Sequence, residues 1–319
     1  MILESSIESP DDPRARARWH ALWETSPQRS PYSTLAYTEL AARAHGLRLR
    51  MHFVVSSEAD EAGALITWHR RGPWRVACMA PFTQYSALLL RTELPETAVH
   101  ARNSALDHLL AALEQSYHRH SLMADLKDVR PASWRGWRVE PLYTYRLNPA
   151  TAQMSEGTRR TFKKHDAEYL VSEDPHGASQ VVSLCAKSYA RKGRTLPADS
   201  VRLTKLASLL QAHNLVRIFI ARRVNSTEPE AGVAFLCDSA VAHYWIAGSK
   251  PGAAMTVLLG RALPRLWETG IAPFDFTGAN TPSIAEFKRR FGGHLSTYYH
   301  LRKTTRPELR LLDGIMGRP

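Results

Sequence analysis

One stretch of the sequence gathers a carboxylate, a glycine loop and a run of cations. It reads Phe274-Asp275-Phe276-Thr277-Gly278-Ala279-Asn280-Thr281-Pro282-Ser283-Ile284-Ala285-Glu286-Phe287-Lys288-Arg289-Arg290-Phe291-Gly292-Gly293. Asp275 sits inside an apolar strand, and a buried carboxylate needs partners. Capping the helix that follows is its plain role; contact with a substrate is the sharper one. Thr281 can cap that helix, with Pro282 at its first position. Ile284, Phe287 and Phe291 recur at i, i+3 and i+7, which makes one apolar face. Lys288, Arg289 and Arg290 then lie off the face. Lys288 leaves the helix near the edge, where its stem can lie along apolar surface while its ammonium reaches a cleft margin. Such a cation could meet an oxyanion or a phosphate; a solvated or salt-bridged lysine is the plain reading.

Other chemistry-bearing residues are more scattered. Tyr189, Arg191, Lys192 and Arg194 form a basic cluster after a helix, which reads as a surface loop before a ligand contact. His243, Tyr244 and Trp245 alternate on a strand, so Trp245 packs while Tyr244 can reach a cleft. His118 and His120 have no metal-ligating neighbour in sequence. Cys78, Cys185 and Cys237 lie far apart without ligand spacing, so neither a metal site nor a disulfide framework is expected. Trp19 and Trp23, four residues apart, read as core.

The net charge is +12, divided as +2 over residues 1–150 and +10 over 151–319. A basic second half is either a solvated surface or a site for a phosphate-rich ligand. No apolar run approaches the ~20 residues of a membrane span. The acidic start of the chain has no apolar targeting segment, which points to a cytoplasmic protein. A length of 319 residues suggests two domains, expected at 1–150 and 151–319 with a link around 148–158.

The elements that would position these residues occur twice. Ala44-His45-Gly46-Leu47 is echoed by Ala212-His213-Asn214-Leu215, and Glu61-Ala62-Gly63-Ala64-Leu65 by Glu230-Ala231-Gly232-Val233-Ala234. In each copy a helix (37–44, 203–212) meets Gly46 or Asn214 where a left-handed cap belongs. A strand (47–55, 215–224), a polar turn (56–60, 225–229) and a second strand (62–68, 231–237) follow. A third strand (75–79, 240–247), a helix (97–117, 256–268) and a short apolar strand (122–126, 273–276) complete each half. This order predicts an α/β fold with a mixed sheet in two tandem domains from an internal duplication.

The stretch from Asp275 to Gly293, with Phe287-Lys288 and Phe291-Gly292, resembles the C-terminal motif of FemAB-like transferases, tandem members of the GNAT acetyltransferase superfamily. Pro81-Phe82-Thr83-Gln84-Tyr85 resembles the proline- and tyrosine-containing loop of their first domain. Residues 155–164, with Arg159-Arg160 and Lys163-Lys164, resemble the basic helix that opens their second. The resemblance implies an N-acyltransferase or aminoacyltransferase of two GNAT-like domains, with the donor on the second. It implies that the donor loop is Ser249-Lys250-Pro251-Gly252-Ala253-Ala254, followed by Thr256. Gly252 and Ala254 fit the family pattern; Ser249 departs from its Gln or Arg, and Pro251 supplies no N–H.

On this resemblance Ser249, Gly252, Ala254 and Thr256 are expected at an acyl-CoA or acetyl-CoA donor, and Lys288 at an oxyanion or a donor phosphate. Tyr244 is expected to serve as a hydroxyl donor or acid. Asp275 and Asn280 are expected at the acceptor end, and Tyr85, Ser283, Arg159 and Lys163 at substrate. Three functions stay open. CoA-dependent transfer to an amine of a small molecule or peptide is slightly favoured. Aminoacyl-tRNA-dependent ligation onto a peptidoglycan precursor is weakened because no long heptad insert is present. A non-catalytic binding role is the third.

Overall fold

The computed structural model describes residues 2–57, 59–91, 99–306 and 308–309. Contacts divide the chain into two compact units: residues up to 142 with those from 298 onward, and Tyr143–Thr297. Relative to a division after residue 150, the second unit gains 143–150 and the first gains the end of the chain. The reason is strand pairing.

In the first unit the elements are β1 (Glu4–Glu8), α1 (Pro13–Thr25), α2 (Leu35–Ala44), β2 (Arg48–Val55), β3 (Asp60–Arg71), β4 (Trp74–Ala77), β5 (Ala87–Leu90), α3 (Val99–Ser116), β6 (Arg119–Ala124) and α4 (Arg130–Trp134). Strands β1, β2, β3 and β4 pair antiparallel in that order, β5 flanks β3, and β4 meets β6 in parallel. The strand beside β6 is the last among the described residues, β13 (His294–Thr304), paired antiparallel over Tyr299–Thr304. Residues 97 and 98 of the helix expected at 97–117, and Glu58 of the turn at 56–60, lie outside the described residues.

The second unit begins with the end of β7 (Arg138–Leu147), then α5 (Glu156–His165), β8 (Tyr169–Glu173), α6 (Ala178–Ala190), α7 (Ser200–Ala212), β9 (Val216–Arg223), β10 (Pro229–Cys237), β11 (Ala242–Ser249), α8 (Ala254–Glu268), β12 (Phe274–Asp275) and α9 (Pro282–Arg289). Strands β8 to β11 pair antiparallel in order, β11 meets β12 in parallel, and β12 pairs antiparallel with β7. Apart from the additional strand β5 of the first unit, the succession strand, two helices, three strands, helix, parallel strand runs from β1 to β6 and again from β8 to β12.

The two sequence echoes occupy equivalent places. Gly46 has φ +66° and Asn214 φ +57°. In both, the next N–H closes the helix end on a carbonyl five residues back, Leu47 on Ala42 and Leu215 on Leu210. A Cβ on Gly63 would meet Leu22 and Trp19 of α1, and one on Gly232 would meet Val181 and Leu184 of α6. Each glycine lets a helix, α1 in the first unit and α6 in the second, lie close on the second strand of the αββ unit. Trp19 is therefore core, as expected. On the opposite face Leu106, Leu109, Leu110 and Leu113 of α3 pack on Ala62, Ala64, Ile66 and Trp68, the alternate residues of β3. In the second unit Val257, Leu258, Ala262 and Leu266 of α8 pack on Phe219, Val233, Phe235 and Phe274. No helix among the described residues is long and apolar enough to cross a membrane.

Candidate functional site

Strand β12 accompanies β11 for only two positions, Ala242↔Phe274 and His243↔Asp275. Beyond them β11 continues to Ser249 with no strand partner on that side among the described residues. The gap opens into a cleft of about 610 Å³ within the second unit. Its walls are the C-terminal half of β11, the end of α6, the start of α8, and α9.

Gly248 sets the first wall. A Cβ there would overlap the backbone of Leu184 and Cys185 in α6, so only glycine lets α6 lie directly on β11. That approach carries Ser188, Tyr189 and Arg191 to the cleft. Ser249 donates its N–H to Ser188 Oγ at 3.2 Å, and the Arg191 guanidinium donates to the Ser249 carbonyl. The loop after β11 is thereby tethered at its root. Gly252 has φ +129°, where other residues are strained. Helix α8 starts behind Ala253 without a side-chain cap, which leaves its positive end without a protein anion. Lys192, Arg194 and Lys250 line the same cleft. Lys250 pairs with Glu228, while Lys192 and Arg194 form no ion pair among the described residues.

Lys288 departs from its expected place. It is 5% exposed and the most buried residue of α9, whereas Ile284 and Phe287 are half-buried and face the cleft. Thr277 (φ +49°) and Gly278 (φ +68°) stand in succession in the left-handed region. That turn aims three consecutive carbonyls at one point. The Lys288 ammonium donates to Phe276 O at 2.7 Å, Thr277 O at 2.6 Å and Gly278 O at 2.6 Å. All three of its donors are used. The apolar spacing misleads because a lysine stem packs like an apolar chain when its head finds such a cradle. Burial pushes Lys288 down to about 8; Asp275 opposes the shift and Lys192 adds to it. The ammonium also lies 5.5 Å from the Tyr244 ring centroid.

Asp275 is fully enclosed. Its Oδ1 accepts from Thr144 Oγ1 at 2.6 Å and from the Thr277 N–H at 2.7 Å, and its Oδ2 from Arg146 Nε at 2.9 Å. Burial alone would raise its carboxyl, but His243, Arg146 and these hydrogen bonds outweigh it and hold the group below the usual range. His243 is itself pushed down to about 4 by burial, so near neutral pH Arg146 and the hydrogen bonds do the holding. Asp275 does not line the cleft. It fixes the turn whose carbonyls hold Lys288. Thr281 stands at the N-cap of α9 but makes no capping hydrogen bond.

Tyr244 lines the cleft with its hydroxyl 3.6 Å from Met255 Sδ, and burial raises its phenol. Ser249, Gly252, Thr256 and Ser283 line the same cleft. Ala254 is buried at the first position of α8 beside them. Asn280 is elsewhere: its Oδ1 accepts from the Tyr143 N–H at 2.8 Å. Arg159 and Lys163 are exposed on α5 and do not line the cleft. Tyr85 is buried in the first unit between the rings of Tyr32 and Tyr298. The residues that the sequence reading underrated are Tyr189, Arg191, Lys192 and Arg194, which wall the cleft instead of forming a bare surface loop. The signal was Gly248, an isolated glycine inside a strand.

The profile of the acetyltransferase (GNAT) domain matches residues 150–289. No curated protein matches the chain. Among solved structures, FemX superposes with a TM-score of 0.70 at 10% identity, over 97% of this chain and 100% of FemX. A tandem GNAT protein from the clavulanic acid biosynthesis pathway superposes at 0.57 with 13% identity, over 96% and 99%. L-PGS from Bacillus licheniformis superposes at 0.56 with 15% identity, over 98% and 99%. These likenesses concern the fold.

Proposed function

We propose that the chain is a GNAT-type acyltransferase, on the match of the acetyltransferase (GNAT) domain to residues 150–289, and that the cleft between β11 and α9 moves an acyl group from acyl-CoA to an amine. The observation that carries this reading is the splay of β11 from β12 over an uncapped α8 terminus with a cationic rim. A helix N-terminus and nearby cations together suit a diphosphate. Gly252 to Thr256, with Lys192 and Arg194, would hold the donor phosphates. The free flank of β11 suits an extended, amide-containing arm, and the acyl carbon would come to rest near Tyr244.

The chemistry then follows from the side chains. The acceptor nitrogen attacks the thioester carbon, the N–C bond forms and the C–S bond breaks. Among the described residues no Asp, Glu or His lines the cleft, so no carboxylate or imidazole there takes the ammonium proton. Lys288, Lys192 and Arg194 instead disfavour a charged amine in the cleft, and the amine reacts neutral after losing its proton to solvent. Tyr244, whose phenol burial keeps protonated, would supply the proton to the leaving thiolate, and the proton that the attacking nitrogen sheds as the intermediate collapses would restore the phenol through solvent. Lys288 and Asp275 serve by positioning the 276–278 turn and, through it, α9.

A second reading replaces acyl-CoA with aminoacyl-tRNA. It is favoured by α5, where Arg159, Arg160, Lys163 and Lys164 are all exposed; a row of such cations suits a phosphate backbone. Calorimetric titration with CoA separates the two. The acyl-CoA reading predicts CoA binding that weakens about tenfold in Lys192→Ala/Arg194→Ala, the scale of one or two lost phosphate contacts. Binding of tRNA without binding of CoA would replace it with the second reading.

A further inference from the structure

Resting on the acyl-CoA reading, we infer that the transferred group is an uncharged, apolar acyl chain longer than acetyl, seated against Ile284, Phe287, Tyr244 and Met255. The cleft is lined by two chemically different sets of side chains. One is cationic, with Lys250 two residues before Gly252 and Lys192 and Arg194 on the same lining. The other, at α9, is apolar: Ile284 and Phe287, one helical turn apart, present half-buried side chains to the opening. Phe287 is braced edge-on by Phe291, with ring centroids 5.2 Å apart, and Tyr244 is braced against Phe276 at 5.7 Å. These rings are held in place before any ligand arrives.

The electrostatics exclude a cationic acyl group. The residues lining the cleft include five cations and, among the described residues, no carboxylate. Asp275, behind the 276–278 turn, is spent on Thr144, Thr277 and Arg146, and Glu228 pairs with Lys250. A charged amino group on the acyl chain would face Lys288 and Lys192 with no counter-charge. Acetyl is excluded on different grounds, because two carbons cannot cover the wall that Ile284 and Phe287 present. Each methylene laid against that wall adds affinity through the hydrophobic effect.

The test measures binding and transfer with free CoA, acetyl-CoA, hexanoyl-CoA, decanoyl-CoA and β-alanyl-CoA, the last carrying a free ammonium. Decanoyl-CoA is expected to bind about tenfold or more tighter than acetyl-CoA, as several covered methylenes require. β-Alanyl-CoA is expected to bind more weakly than either. Ile284→Trp narrows the apolar end of a cleft that stays folded, as checked by its melting temperature. It should bring the decanoyl-to-acetyl ratio down to about one. Free CoA binding with equal affinities for acetyl and decanoyl chains, or with β-alanyl-CoA tightest, overturns this inference and leaves the donor assignment standing. Failure of free CoA itself to bind overturns both.

Discussion

Replacing Lys288 with Met keeps a stem of similar length and removes the ammonium from the three carbonyls of residues 276–278. Each hydrogen bond from a charged donor contributes about 1.5–3 kcal/mol in favourable cases. Burying the charge offsets part of the sum, which is why Lys288 is held near 8. The variant would leave three inward-facing carbonyls without their donor, and removing one member of a buried charged cluster costs about 3–5 kcal/mol. The expected loss is therefore about 3 kcal/mol, read from urea unfolding at pH 7. Lys288→Arg should not restore it, because a planar fork does not fit a point formed by three converging carbonyls. Arg289→Ala is the control. Its pair with Glu286 is exposed, and the change should stay within about 0.5 kcal/mol. Turnover should fall in Lys288→Met because the turn carries the start of α9. A variant with unaltered unfolding and strongly reduced turnover would refute the clamp and return Lys288 to direct contact with substrate.

Three further outcomes follow from the same geometry. Gly248→Ala should push α6 off β11, with a cost of about 1–3 kcal/mol for overpacking and a loss of donor affinity, both measurable by unfolding and calorimetry; unchanged affinity would detach the Ser188–Arg191 wall from the site. Burial pushes His52 to about 3 and His243 to about 4, against 6.5 in the unfolded chain. Because the lowered values disfavour the protonated native state, stability is complete above 6.5 and drains as pH falls to 4 for His243 and 3 for His52. The loss is on the order of 3 kcal/mol for His243 and 5 kcal/mol for His52, and a urea midpoint that holds steady from pH 7 to pH 4.5 would contradict it. Asn214→Gly relaxes a left-handed position and should be neutral or slightly stabilising, whereas Gly46→Ala should destabilise by about 1 kcal/mol; thermal unfolding distinguishes the two.

The repeated αββ units were legible because their signals are local: alternating apolar residues, a helix stop at Gly46 or Asn214, and a glycine under the first helix. The strands β1 and β8 and the exchanged neighbours β7 and β13 were harder to foresee. Their partners are distant in sequence, and short half-polar strands such as Tyr169–Glu173 carry little period-two pattern. Tyr244, Ser249, Gly252, Thr256, Ser283 and Lys288, expected at catalytic, donor and substrate positions, all line one cleft. The sequence misjudged Lys288 because residue type marks a lysine for solvent, and only the backbone turn at Thr277 and Gly278 reveals three carbonyls ready to receive it. Asn280 was drawn toward the site by its neighbours in sequence, while its side chain ties down the backbone of Tyr143.

The central claim is that the second unit's cleft holds a phosphate-bearing acyl donor. A crystal structure of the protein with CoA tests it most directly. The account predicts the diphosphate against residues 250–256, within reach of Lys192 and Arg194, with the thiol directed toward Tyr244. CoA bound only to residues of the first unit, or to the second unit outside this cleft, would contradict it.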